Sequence, residues 1–158
     1  MARLPTFNLA GGRPAGSVSR LIGLLLGGLL LLVASAPAFA GVAIAIDLSS
    51  QRMQVRIDGR AAYSWPVSTA RPGYRTPTGR FHPIRLERVW YSSIYDSAPM
   101  PHSIFFHGGY AIHGTYQVRS LGRPVSHGCV RLSPGNAGTL YHLVQRYGRG
   151  ATTITITR

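Results

Sequence analysis

The sequence predicts a single, mainly β domain, a sandwich or flattened barrel of short strands with one principal helix. Three observations lead there. Nineteen Gly and eleven Pro among 158 residues divide the chain with frequent turns. Most apolar runs between those turns have strand length and strand alternation. Only one stretch, after Ser133, repeats apolar residues at helical spacing. A hydrophobic share of 45% with 13% charged residues excludes a disordered chain, and the length favours one domain.

The N-terminus reads as an address. Arg3, Arg13 and Arg20 precede any acid, and an apolar run from Leu21 to Val33 follows. That run is short for a helix that must cross roughly 30 Å of hydrocarbon. Ala38-Phe39-Ala40 then supplies the small residues of a cleavage site. Residues 1–40 are therefore expected to be a secretory signal peptide, with an uncleaved membrane anchor as the alternative. Either way, residues 41–158 are expected to be exported, to the periplasm or cell envelope.

Within 41–158, Val42 to Asp47 and Arg52 to Ile57 read as strands, the second alternating apolar with polar. Asp58-Gly59 signals a tight turn, and Ala61 to Ser68 returns as a third strand, which gives an antiparallel meander. Residues 70–79, with two Pro and two Gly, form a loop. Residues 80–95 are strand-like and aromatic, Met100 to Phe106 suggests another strand, and Tyr110 to His113 a short one. Ser133 caps the helix and Pro134 fits its first turn. Ala137, Leu140, Tyr141, Val144 and Tyr147 share one face, and Gly148 stops it. Ala151 to Arg158 closes the chain as a strand.

All 17 cations are Arg, against four acids, for a net charge of +13. Such a surface attracts polyanions, whether nucleic acid, anionic lipid or an acidic wall. The Arg are scattered and no nucleic-acid motif accompanies them, so no nucleic-acid partner is expected.

Cys129 is the only cysteine, which excludes an intrachain disulfide. A thiol in an exported chain is a liability unless it is buried or kept for its reactivity. His127 lies two residues before it, and His113 ends a separate strand whose following loop can bring the two together. An imidazolium beside a thiol favours the thiolate. Gly128 permits a backbone conformation and a close substrate approach that other residues do not. In such a turn the Gly128 and Cys129 N–H groups can face a developing oxyanion. Arg131, two residues on, projects from the same side of an extended segment as Cys129 and is available for a substrate carboxylate.

His113-Gly114, a spacer, then Ser126-His127-Gly128-Cys129-Val130-Arg131 resembles the signature of L,D-transpeptidases of the YkuD-domain family. Pro77-Thr78-Gly79 with Phe81, Met100-Pro101 and Leu121-Gly122-Arg123-Pro124 look similar to that family too, so the resemblance spans residues 42–157. It implies the L,D-transpeptidase type of β-sandwich or flattened barrel. It also implies that Cys129 is the nucleophile and that His113 is the base, oriented by a backbone carbonyl near Gly114. His127 would line the site, with Gly128 and Cys129 as oxyanion donors. Arg131 stands where some members carry Asn. Ser126 caps a turn, and His107 and Tyr91 have no position in the signature.

The implied reaction is two-step acyl transfer on peptidoglycan stem peptides. Cys129 forms a thioester with a tetrapeptide stem, releases D-alanine, and passes the acyl group to an amine to give a 3-3 cross-link. Water as acceptor would make the same site an L,D-carboxypeptidase, and a protein acceptor would make it a wall-protein attachment or detachment enzyme. No metal or organic cofactor is implied. The chain is expected to act as a monomer, to meet the membrane only through an uncleaved leader, and to be acylated by carbapenems. Two non-enzymatic readings compete: a zinc protein using His107, His113, His127 and Cys129, and a basic wall-binding protein whose grip is salt-sensitive.

Overall fold

The computed structural model describes residues 40–158. The expected leader, apart from Ala40, lies outside the described residues. The chain opens with β1 (Val42–Asp47), β2 (Arg52–Ile57) and β3 (Arg60–Pro66), the antiparallel meander that alternation predicts. On β2 the buried Met53 and Val55 alternate with exposed Arg52, Gln54 and Arg56. Asp58 and Gly59 both take positive φ, 50° and 78°, the left-handed pair that a two-residue hairpin needs.

Next come β4 (Gly79–Phe81), β5 (Arg85–Glu87), β6 (Ser103–His107) and β7 (Tyr110–Gly114). A 3-10 turn at Val118–Ser120 leads to β8 (Val130–Leu132), α1 (Pro134–Tyr147) and β9 (Thr152–Thr157). One sheet has the order β3-β2-β1-β9-β4 and the other β5-β6-β7-β8. The fold is thus mainly β with two open sheets and one α-helix among the described residues; the sheets do not close into a barrel. Two pairings are parallel, β1 with β9 and β7 with β8.

The helix bounds follow the sequence signals. Ser133 accepts the Asn136 N–H, Pro134 occupies the first turn, and the Gly148 N–H closes on the Val144 carbonyl. Its buried face, Ala137, Leu140, Tyr141 and Val144, joins side chains of both sheets in one core that includes Val42, Ile44, Ile154, Ile112 and Leu132.

Residues 80–95 depart from expectation. Only 79–81 and 85–87 are strands, and the chain from 88 to 99 runs as turns and isolated bridges. Trp90 packs edge-on against Phe105 of β6, while Tyr91 stays exposed. The Arg85 guanidinium lies between Trp90 and Phe105, 4.4 and 4.1 Å from their ring centres. Backbone bonds from Met100 N–H to the Trp90 carbonyl and from His102 N–H to the Arg88 carbonyl fasten this segment as a flap.

A buried Gln51 fixes the other loop that reaches the site. Its side-chain amide donates to the Leu48 carbonyl and Thr69 Oγ1 and accepts the Thr69 N–H, so the chain leaves β3 in one defined direction.

Candidate active site

The site is built on alternation. In the β7–β8 pair Ile112 stands opposite Val130 and His113 opposite Arg131. Ile112, Val130 and Leu132 enter the core. Their neighbours must therefore take the outer face, and there Ala111, Phe105 and Met100 form a second small cluster with Trp90 and Cys129. A cavity of about 210 Å³ opens on this face. His113, His127, Cys129 and Arg131 all line it, with the flap supplying Tyr95 and Met100 and the chain after β7 supplying Tyr116 and Gln117. Side chains from two strands and a loop thus meet in one space.

His113 is 6% exposed. Its Nδ1 lies 2.8 Å from the Gly114 carbonyl. A carbonyl can only accept, so Nδ1 carries the proton and the neutral ring keeps a lone pair on Nε2. Burial pushes its pKa down to about 4; the Gly114 carbonyl opposes that shift, and the Arg131 cation adds to it. Gly114 itself is wedged against Pro101 Cγ and Pro134 Cα, where an added Cβ would approach to 3.1 and 3.2 Å.

Cys129 is half-buried, with Sγ 4.0 Å from the Gly109 carbonyl oxygen. Burial pushes the thiol up, while a hydrogen bond from the Ala111 backbone and the Arg131 charge pull it down. The sequence suggested a thiolate held by an imidazolium. Instead, the enclosed site favours a neutral thiol and a neutral imidazole, because desolvation penalises both charges.

His127 stacks on Tyr95, ring centres 4.3 Å apart at 12°, and meets Tyr74 edge-on at 4.7 Å. Burial lowers its pKa, with Arg71 and then Arg131 adding to the effect. Arg131 is held by its backbone to Ser68 in both directions, and its Nη1 donates to Gln117 Oε1 at 3.2 Å.

Gly128, at φ 133°, could carry no side chain: a Cβ would sit 2.5 Å from Tyr110 Cε1 and 2.9 Å from the Arg75 carbonyl oxygen. Its carbonyl accepts from Thr76 Oγ1 at 2.8 Å. Its N–H, expected as an oxyanion donor, is instead donated to Ser126 Oγ at 3.0 Å. Ser126 Oγ in turn donates to the Cys129 carbonyl at 2.7 Å. Ser126 braces the turn, and the N–H that sequence reasoning gave to the substrate is spent on that brace. Gly114, Ser126 and Gly128 do not themselves line the cavity.

Sequence reasoning did not find Tyr95, Tyr74, Gln117, Thr76 or Tyr110. Each comes from a segment remote in sequence from its partner. Thr76 alone carried a signal, as it directly precedes the Pro77-Thr78-Gly79 flank. His107 turns away to Phe81 and Tyr110. Among the described residues no three His, Cys, Asp or Glu side chains gather as a metal-binding group, so the zinc set of His107, His113, His127 and Cys129 does not assemble.

Residues 41–156 match the family model of the L,D-transpeptidase catalytic domain (YkuD). The putative L,D-transpeptidase YkuD of Bacillus subtilis is 26% identical over 118 residues, covering 73% of this chain and 65% of the relative. L,D-transpeptidase 1 of Mycobacterium tuberculosis is 30% identical over 124 residues, covering 68% of this chain and 47% of the relative. The chain thus spans less than two thirds of the length of these curated relatives. Among solved structures, an L,D-transpeptidase from Mycobacterium smegmatis superposes with a TM-score of 0.67 at 27% identity, over 75% of this chain and 59% of the other. One from Stackebrandtia nassauensis gives 0.65 at 27%, over 75% and 56%.

Proposed function

This chain belongs to the L,D-transpeptidase catalytic-domain family, and from that premise we propose that it is an exported cysteine acyltransferase acting on peptidoglycan stem peptides. One observation carries the reading. Cys129 and His113 line a single cavity, and the Nδ1 bond to Gly114 leaves the His113 Nε2 lone pair to take a proton.

In the first half-reaction Nε2 accepts the thiol proton as Sγ attacks the carbonyl of the L-centre of the diamino acid in a tetrapeptide stem. Proton transfer in step with attack suits a pair that rests neutral, because no isolated charge has to persist in the enclosed site. With the Gly128 N–H engaged by Ser126, the Cys129 N–H is the donor left to the developing oxyanion. His113 then protonates the departing amine, the C–N bond breaks, D-alanine leaves, and a thioester on Cys129 remains. In the second half an acceptor amine gives its proton to His113 as it attacks the thioester. Collapse expels the thiolate, which recovers the proton. An amine of a neighbouring stem gives the 3-3 cross-link, water gives a tripeptide, and a protein amine gives wall attachment. His127, held between Tyr95 and Tyr74, forms part of the wall against which the stem lies.

Incubating the domain with defined disaccharide tetrapeptides and reading the products by mass spectrometry tests this. A cross-linked dimer is expected, with D-alanine released and a transient adduct on Cys129. Tripeptide alone would make the enzyme a carboxypeptidase. Turnover that survives Cys129→Ala would remove the mechanism.

A further inference from the structure

We infer that Arg71 joins Arg131 in a two-guanidinium clamp at the mouth of the Cys129 cavity, and that this clamp selects donors with a free carboxylate beside the scissile bond over donors carrying an amide there. The inference rests on the functional reading above and names a specificity element of that same site.

Arg71 lies outside the signature and far from Cys129 in sequence, yet the fold ties it to the catalytic turn. Its N–H donates to the Ser126 carbonyl at 2.9 Å, Ala70 bridges Ser126, and the Ser126 N–H donates to the Thr69 carbonyl at 2.8 Å. Arg71 thus starts from a backbone fixed one residue before His127. Its guanidinium carbon lies 4.8 Å from the Tyr74 ring centre, and Tyr74 abuts His127 in the cavity wall. Arg131 lines the cavity itself from β8, and its hydrogen-bond partner there is the neutral Gln117 amide. The Arg71 charge is felt at both His127 and Arg131, lowering the pKa of each.

A census of counter-charges shows what this pair lacks. The chain has four acids. Asp47 is engaged by Ser49, and Asp58 by the Gly41 N–H and Tyr147. Glu87 is paired with Arg85, the one ion pair among the described residues. Asp96 sits in the flap beside Tyr95, with positive φ and no ion pair. Among the described residues neither guanidinium forms an ion pair with a carboxylate, the C-terminal one included. A bound anion relieves their repulsion and gains charge-assisted bonds. Arg131 stands beside His113 in the strand register, two residues past Cys129, so an anion on it lies next to the thiol. The group best placed to supply that anion is the C-terminal carboxylate of the residue that leaves, which also explains removal of a single terminal residue.

The test compares kcat/KM for a tetrapeptide donor and its C-terminal carboxamide, in the wild type and in Arg71→Gln, Arg71→Lys and Arg80→Gln. Arg80 is an exposed cation on β4 and controls for net charge. The wild type should prefer the acid by about tenfold. Arg71→Gln should shrink that ratio severalfold, added salt should narrow it, Arg71→Lys, which keeps the charge but not the stacked planar fork, should keep only part of it, and Arg80→Gln should largely keep it. Equal acylation of Cys129 by acid and amide, or a wild-type ratio in Arg71→Gln, overturns the inference alone. Failure of both donors to form any thioester on Cys129 overturns the functional reading and the inference with it.

Discussion

The two faces of the four-stranded sheet are made from alternate residues of the same strands, yet they carry opposite tasks. Inward, Ile104, Phe106, Ile112, Val130 and Leu132 are at most 2% exposed and join the main core. Outward, Phe105, Ala111, His113, Cys129 and Arg131 face the flap and the cavity. A slip of one residue would exchange the two sets. The core face therefore fixes the register in which the reactive groups meet, and the reactive groups need contribute little to holding themselves in place. His113 is the exception. It is as buried as a core residue, and it tolerates burial because its one donor is satisfied by Gly114.

Cys129→Ala should separate the faces most sharply. We expect turnover to vanish, as read by D-alanine release, while the unfolding midpoint stays close to wild type. A large fall in midpoint would mean that the thiol belongs to the core after all. His113→Ala should lower turnover by about 10²- to 10⁴-fold, the usual contribution of a positioned base; a drop of less than tenfold would transfer the role to His127. On the inner face, Ile112→Ala should cost about 2–5 kcal/mol of stability, measured by denaturant unfolding. Its effect on turnover, measured where the protein is still folded, should be small beside that of His113→Ala. If activity fell as far as in the His113 variant, the division between faces would dissolve.

How much of this was legible beforehand follows the same division. Alternation on β2, the Asp58-Gly59 turn and the Ser133, Pro134 and Gly148 signals of α1 are local, and the structure places these elements where the sequence indicated. His113, His127, Cys129 and Arg131 were recognisable from one contiguous motif and one upstream His-Gly, and they do share a cavity. What stayed hidden is non-local. Nothing near Val42 announces a parallel partner at the far end of the chain. Nothing near Tyr95 says that its ring will lie on His127. The aromatic run after residue 80 imitates a strand because packing over a sheet and pairing within it select the same residue types. The fate of the Gly128 N–H was equally unreadable, since Ser126 is a plausible turn brace in almost any loop.

The smallest expected effect uses pH to probe the buried imidazole of His113. In an unfolded chain His113 would protonate near its ordinary 6.5, whereas burial holds it to about 4 in the folded protein. Between those values the unfolded state binds more protons, so stability must fall as pH falls from about 6.5 towards 4, and this group adds no further loss below that. By pH 5 the loss should reach about 2 kcal/mol, seen as a lower denaturant midpoint. His113→Asn, which cannot titrate, should flatten that part of the profile even if it is less stable throughout. The same depressed pKa keeps Nε2 free as a base well into the acid range, so the acid limb of kcat/KM should lie below the usual histidine value. A limb at 6.5 or above, together with an unchanged stability profile in His113→Asn, would place the working proton on another ring and leave His113 to the structural side of the sheet.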